Sequence, residues 1–466
     1  MKYVSTRNTR LSLDFCNAIL SGLSEDGGLY MPEEYPRFSE QDIRSLRGLS
    51  YEDIALFVIQ PFIEGEISSK KLKAIIGHAY RGFRHTAITP LVQMDKNNFV
   101  LELFHGPTLS FKDIAMQLLA GLIEHILEER DQYTTIVGAT SGDTGAAAIE
   151  AFAGRKRTNI FILFPKDRIS LVQQKQMTTS RASNAHVIAI DGSFDDCQRL
   201  VKELFADVSF RKSVNLSGIN SINWARIMAQ IVYYFVSSVA LGAPDRSVSF
   251  SVPTGNFGDI FAGYSAILMG LPLEKLIIAT NDNDTLVRML ETGIYKPGKV
   301  KATTSPAMDI QISSNLERLL FEVSNKDSLF VREVMETLKN QKHFQLSSKH
   351  LKTIRRFFSA RSASENIVND VISSVLEKSN YLVDPHTAIG IYAASRYDDI
   401  SVPTVILSTA HPAKFPDVVE KASGVTPILP KFLEGITERF ERFEMMDNDI
   451  EKIKCFINSR KFGGKN

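Results

Sequence analysis

The hydrophobic pattern changes period between residues 98 and 126. A strand-like apolar run over 98–104 stops at Gly106-Pro107. From there Phe111, Ile114, Ala115, Leu118, Leu119, Leu122, Ile123 and Ile126 recur at helical spacing. Ser110, followed three residues on by Asp113, has the S-x-x-D form of a helix cap, so a helix is expected to begin there. Short β-branched runs at 134–137, 160–164, 186–190, 248–252, 276–279 and 404–407 read as strands. Helical segments separate most of them, the alternation of a parallel sheet in an α/β protein.

Before residue 95 the pattern differs, with helices expected over 13–23 and 51–60 around a turn-rich stretch at 25–32. Residues 1–95 therefore form an N-terminal unit. Residues 315–378 read as a charged helical insertion between sheet elements, and 418–466 as a polar helical tail packed on the outside. The basic run from Lys339 to Arg361 carries Phe344, Leu346, Leu351, Ile354, Phe357 and Phe358, and reads as helix with a solvated basic face.

With 466 residues, 44% of them hydrophobic, the chain can bury two or three cores. Lys+Arg (54) and Asp+Glu (53) nearly cancel, which gives no footing for a nucleic-acid or membrane-surface partner. No apolar span of membrane length occurs. Cys16, Cys197 and Cys455 lie far apart, as expected of a cytoplasmic protein, and the nine histidines show no metal-ligand spacing.

Within this frame Lys112 would sit in the first turn of a helix, beside free amide N–H groups and the positive end of the helix dipole. Positive charge is disfavoured there, so its pKa should fall toward that of a nucleophilic amine. On this segment alone, a lysine snorkelling off a helix end is the simpler reading. Three further loops change the balance. Ser-Val-Pro-Thr-Gly-Asn-Phe-Gly-Asp at 251–259 joins a strand to a helix, and Gly255, Asn256, Phe257, Gly258 and Asp259 could cradle a phosphate. It is neither a Walker A loop nor G-x-G-x-x-G, and Asp259 would repel an anion unless its carboxylate turns away. Gly-Ala-Thr-Ser-Gly-Asp-Thr-Gly at 138–145 brings Thr140, Ser141 and Thr144 hydroxyls to exposed amides, suited to a carboxylate. There Asp143 could cap the helix or orient a polar group of a cofactor. Thr409 follows a strand end, where ligands bind in open α/β sheets. An amine, two anion cradles and a strand-end hydroxyl are the parts needed to bind pyridoxal phosphate beside an amino acid.

These segments, with those at 3–7, 26–32, 220–226 and 308–315, resemble the threonine synthase family, of the longer bacterial and fungal type. The resemblance spans most of the chain. It implies an α/β fold-type II pyridoxal-phosphate enzyme, similar to the tryptophan synthase β chain, with open parallel sheets in two domains. The large domain would be 96–130 with 225–417, and the small domain 131–224. The implied reaction, the last step of threonine biosynthesis, converts O-phospho-L-homoserine and water to L-threonine and phosphate by γ-elimination and β-addition. By the same resemblance Lys112 matches the Schiff-base lysine, 255–259 the phosphate loop, and Thr409 the hydroxyl residue beside the pyridine nitrogen. Thr140, Ser141 and Thr144 match the substrate-carboxylate loop. Asp143 stands where related dehydratases usually carry Asn. Ser221, Asn223, Arg226 and Lys414 are candidates for the substrate's own phosphate. A related dehydratase and a catalytically silent metabolite-binding relative stay open, as do monomer and homodimer.

Overall fold

The computed structural model describes residues 1–167, 169–219, 221–397 and 401–461; Asn220 and the chain beyond residue 461 lie outside them. Two sheets form its centre. The larger has six strands in the order Phe358–Ser362, Leu273–Thr280, Val248–Pro253, Thr404–Ser408, Asn98–Glu102 and Leu91–Gln93, all parallel but the last. The smaller is parallel throughout, in the order Glu444–Met446, Ala185–Ile190, Thr158–Pro165, Thr134–Ala139 and Leu216–Gly218. Central strands covered on both faces have no solvent-facing side to keep polar. Thr158–Pro165 accordingly buries all of its residues.

Trp224–Ala240, a helix buried on nearly every side, packs against Lys112–Glu129, Gly258–Leu268 and Tyr51–Ile63. The N-terminal unit adds a three-stranded antiparallel sheet, Asn8–Leu13, Tyr3–Ser5 and Tyr30–Pro32, and the helices Phe15–Ser21, Glu40–Ser45, Tyr51–Ile63 and Ser69–Tyr80. The helix expected over 13–23 is thus shorter: Asp14 caps its start and Gly22 ends it.

Two other expectations need correction. Residues 358–362 form the edge strand of the large sheet, inside the stretch read as basic helix and helical insertion. Phe358 and Ala360 are buried there while Arg361 is exposed, a period-2 pattern that the preceding Ser348–Phe357 helix masks. Among the described residues of the tail, α-helix is confined to Pro416–Ser423 and Ile450–Asn458. Between them come two single 3-10 turns, Lys431–Leu433 and Ile436–Glu438, irregular chain and the strand Glu444–Met446, which extends the small sheet. Among the described residues no helix is long and apolar enough to cross a membrane.

Candidate active site

Strand order decides what meets. Asn98–Glu102, Thr404–Ser408 and Val248–Pro253 are parallel neighbours, so the loops that leave their carboxyl ends open onto one edge of the large sheet. Those loops carry Lys112, Thr409 and residues 255–259. The first two are stitched together: Phe111 N–H donates to the Thr409 carbonyl at 2.9 Å, and His411 N–H to the Leu109 carbonyl at 3.1 Å.

The 104–113 loop is held tightly. Leu109 stands at φ +61, a costly conformation for a leucine that neighbouring contacts must hold in place. Asp113 accepts the Thr108 N–H at 2.8 Å and the Thr108 hydroxyl at 2.6 Å. Gly106 is required because a Cβ there would come within 2.5 Å of the Asp113 carboxylate. The expected Ser110–Asp113 cap does not form, because Asp113 is engaged with Thr108. Phe111 occupies the cap position without a side-chain bond, and Ser110 Oγ receives only the Lys112 N–H, at 3.4 Å.

Lys112 is therefore the first residue of the Lys112–Glu129 helix, as the pattern suggested, and it is buried. Its Nζ lies 3.2 Å from Asp143 Oδ2 and 4.7 Å from the centre of the Phe111 ring. Burial is the main force lowering its pKa; Asp143 opposes this, while Lys414 and Arg226 reinforce it. The direction matches the sequence reading, but the cause is desolvation and neighbouring charge.

Asp143 comes from the small sheet. It opens the Asp143–Phe152 helix, but its carboxylate does not cap: it takes Lys112, Lys414 Nζ at 2.9 Å and Gln173 Nε2 at 2.9 Å. Burial alone would raise its pKa, yet the two lysines and Gln173 hold it well below the ordinary carboxylate range. Thr140 folds its own loop, its hydroxyl oxygen accepting the N–H groups of Gly142 and Gly145 at 2.9 and 2.8 Å. Ser141 and Thr144 are half-buried beside it.

In the 255–259 loop, Phe257 adopts φ +64 at the start of Gly258–Leu268 and makes no side-chain cap, which leaves the first-turn amides available. Ser313 Oγ donates to the Gly255 carbonyl at 2.6 Å, and Asn315 donates to that of Asn256 from N at 3.0 Å and from Nδ2 at 3.1 Å. The loop carbonyls are thereby tied back to residues 313–315. A Cβ on Gly255 would meet the Ala307 carbonyl at 2.6 Å, so this close approach needs glycine. Asp259 does turn away: its Oδ1 accepts Tyr233 and Tyr234 hydroxyls at 2.5 and 3.0 Å, Oδ2 has no partner, and burial pushes its pKa up to about 6.

The remaining expected residues divide. Thr409 is buried at the strand end. Arg226 is buried without a carboxylate partner among the described residues; its Nε is unbonded, and burial lowers its pKa to about 10. Ser221 is half-buried, its carbonyl accepting Asn315 Nδ2 at 3.3 Å. Asn223 is a structural cap instead of a free ligand, with Nδ2 on the Ile19 carbonyl at 2.8 Å and Oδ1 on Ala225 N–H at 3.1 Å. Lys414, an anion candidate by sequence, is fully buried against Asp143 and the Thr108 carbonyl. The sequence did not mark Gln173, Ser313, Asn315 or Gln176, whose Nε2 donates to the Thr108 carbonyl at 3.1 Å. Only Ser313 and Asn315 lay in a family-like segment, and nothing local to Gln173 or Gln176 marked them.

Three family models match consecutive parts of the chain: "Threonine synthase N terminus" at residues 2–80, "Pyridoxal-phosphate dependent enzyme" at 83–406 and "Threonine synthase, C-terminal" at 387–457. The chain is similar to threonine synthase of Pseudomonas aeruginosa, at 47% identity with all of both chains covered. A crystal structure of PLP-bound threonine synthase from Brucella melitensis superposes with TM-score 0.97 at 55% identity, covering 99% of this chain and 100% of that one. The yeast threonine synthase structure does so with TM-score 0.94 at 39% identity, covering 98% of each.

Proposed function

Since the chain belongs to the threonine synthase family of pyridoxal-phosphate-dependent enzymes, we propose that this site converts O-phospho-L-homoserine and water to L-threonine and phosphate. The observation that carries the reading is Lys112: a buried amine at a helix start, beside an uncapped helix terminus and a buried arginine with no carboxylate partner among the described residues.

The residues present fit the cofactor. Gly255 to Gly258 offer amides whose carbonyls are held elsewhere, a cradle for its phosphate, and Asp259 is turned out of the way. Lys112 would hold its aldehyde carbon, and Thr409, buried at the strand end, would serve the ring nitrogen, where a hydroxyl would not enforce a ring charge as a carboxylate does. When bound, the cofactor supplies an electron sink for negative charge developing beside the substrate nitrogen.

The chain's own groups do the rest. Ser141 and Thr144 hydroxyls, with the amides of their loop, receive the substrate carboxylate. Arg226 faces the substrate's phosphate, the charge that would give its guanidinium a partner. Lys112 Nζ removes the Cα proton and then a Cβ proton as the γ-phosphate leaves. Of these two protons one is delivered to Cγ, which becomes the methyl carbon. The other is returned to Cα after the hydroxyl of water has added at Cβ, water's remaining proton going to the released phosphate. One amine can act as base and acid only with its pKa near the working pH, which burial favours. The three free cysteines are consistent with a reducing compartment, and we infer that the protein works in the cytoplasm.

Lys112→Ala tests the reading. The purified variant should lack the yellow, borohydride-reducible chromophore and release phosphate from O-phospho-L-homoserine at least roughly 10³-fold more slowly. Substantial residual turnover, or 2-oxoacid instead of threonine from the unaltered enzyme, would defeat it.

A further inference from the structure

Two lysines converge on one buried carboxylate where the sheets meet. Asp143 has Lys112 Nζ at 3.2 Å from Oδ2 and Lys414 Nζ at 2.9 Å from Oδ1. Lys414 is the better held: it is fully buried, and its Nζ also donates to the Thr108 carbonyl at 2.6 Å. The Pro412–Lys414 turn fixes it, with His411 Nδ1 accepting the Ala413 N–H at 3.1 Å. Lys414 therefore touches both the Asp143 loop and the loop that carries Lys112.

We propose that Lys414 is a positioning residue for Lys112: by neutralising Asp143 it keeps that carboxylate from holding a second cation, and so keeps the Lys112 amine unprotonated and ready to react. The inference rests on Lys112 being the working amine. If both lysines were charged, two cations would share one carboxylate in a desolvated site, with the Arg226 guanidinium adding a third. Releasing one proton relieves this crowding, and Lys112 is the group with least to lose. Its Nζ has a single 3.2 Å anionic partner, whereas Lys414 has two shorter contacts.

The charged and titratable groups around Lys112 agree. Asp143 faces it from the Asp143–Phe152 helix, Lys414 from the Pro412–Lys414 turn, Arg226 from Trp224–Ala240 and Asp259 from Gly258–Leu268. On its own helix Asp113 lies toward Lys414, and burial pushes its pKa up to about 6. Asp143 is thus the principal stabiliser of a Lys112 cation, and Lys414 is placed to cancel it.

Lys414→Gln keeps hydrogen-bond donors but removes the charge; Asp143→Asn removes the carboxylate; Lys414→Arg retains the charge. The readout is pH-dependent acylation of Lys112 in the full-length chain freed of cofactor, measured by peptide mass spectrometry beside a melting curve for each variant. Lys414→Gln should move the labelling midpoint up by about one pH unit or more, roughly tenfold less label at a fixed pH below it. Asp143→Asn should move the midpoint down, and Lys414→Arg should bring it back toward the parent. In loaded enzyme the acid limb of kcat should shift in the same directions. A purely structural Lys414 would depress labelling at every pH without moving the midpoint, and that outcome overturns the proposal. If Lys414→Gln fails to fold, Asp143→Asn decides, an unchanged or raised midpoint being fatal. Failure of the Lys112 assignment would show separately, as turnover in Lys112→Ala.

Discussion

Asp259 shows what a single residue's environment does to an apparent motif. Beside a phosphate loop its charge looked repulsive, yet the carboxyl is turned onto Tyr233 and Tyr234. Those tyrosines precede it by 26 and 25 residues, so nothing local could reveal the arrangement. Burial raises the pKa from 3.8 to about 6, so the folded state binds this proton more tightly than the unfolded chain. The corresponding stabilisation is fully present below the unfolded value and is lost as pH rises through about 6. Asn at this position cannot titrate. The stability of the parent relative to Asp259→Asn should therefore fall by roughly 1–3 kcal/mol between pH 4 and 7. Urea unfolding across that range in a single cofactor state measures it, and a flat difference would mean that Asp259 titrates normally. Lys112 has the same lesson. Its helix-start position was legible, but the charge that completes its setting, Lys414, lies some three hundred residues away in sequence and enters only through packing.

At the scale of elements, legibility followed burial symmetry. Thr158–Pro165, covered on both faces, stands out by its unbroken apolar run at 160–164, whereas Val248–Pro253 alternates apolar residues with Ser249 and Ser251 and is buried throughout all the same. Phe358–Ser362 is an edge strand with alternate residues exposed, directly continuing an amphipathic helix, and periodicity alone could not separate the two. The phosphate loop was recognisable from its glycines, but its support was not. Asn315 supplies that support: its Nδ2 reaches the carbonyls of Asn256 and Ser221, and its Oδ1 accepts Arg318 Nε at 3.0 Å. Asn315→Ala would leave the Asn256 carbonyl with only the backbone N–H of residue 315 and remove one acceptor from a buried guanidinium. Loosening of the loop should weaken pyridoxal phosphate binding by about 1–2 kcal/mol, roughly tenfold, read by equilibrium dialysis. Parental affinity in that variant would mean that the loop holds its shape unaided.

For the whole molecule, the N-terminal unit bears on the site through helix packing and through a largely buried polar junction. Arg7 makes a two-point pair with Glu317, Nε to Oε1 at 2.9 Å and Nη2 to Oε2 at 2.7 Å, and the Thr6 hydroxyl adds a bond at 2.6 Å. The next residue, Arg318, is fully buried and donates to the Tyr30 carbonyl at 2.5 Å, to the Ile222 carbonyl and to Asn315. One short run at the start of Leu316–Val323 thus connects the N-terminal sheet, the Trp224–Ala240 helix and the support of the phosphate loop. Hydrophobic patterning does not register such a junction, because its members are polar and separated by about three hundred residues; only the family-like stretches at 3–7 and 308–315 hinted that both ends matter. Removing Arg7 would leave the Glu317 carboxylate, 3% exposed, with Thr6 alone. Breaking a fully buried pair costs about 3–5 kcal/mol, and the partial exposure of Arg7 brings the expected loss in Arg7→Ala nearer to about 2–3 kcal/mol. Glu317→Gln should cost less, since Gln can still accept from Thr6 and leaves no unpaired charge in the interior. A double-mutant cycle by equilibrium unfolding gives the coupling directly. A coupling below about 0.5 kcal/mol would place the pair with ordinary surface salt bridges and leave Arg318 to carry this polar junction.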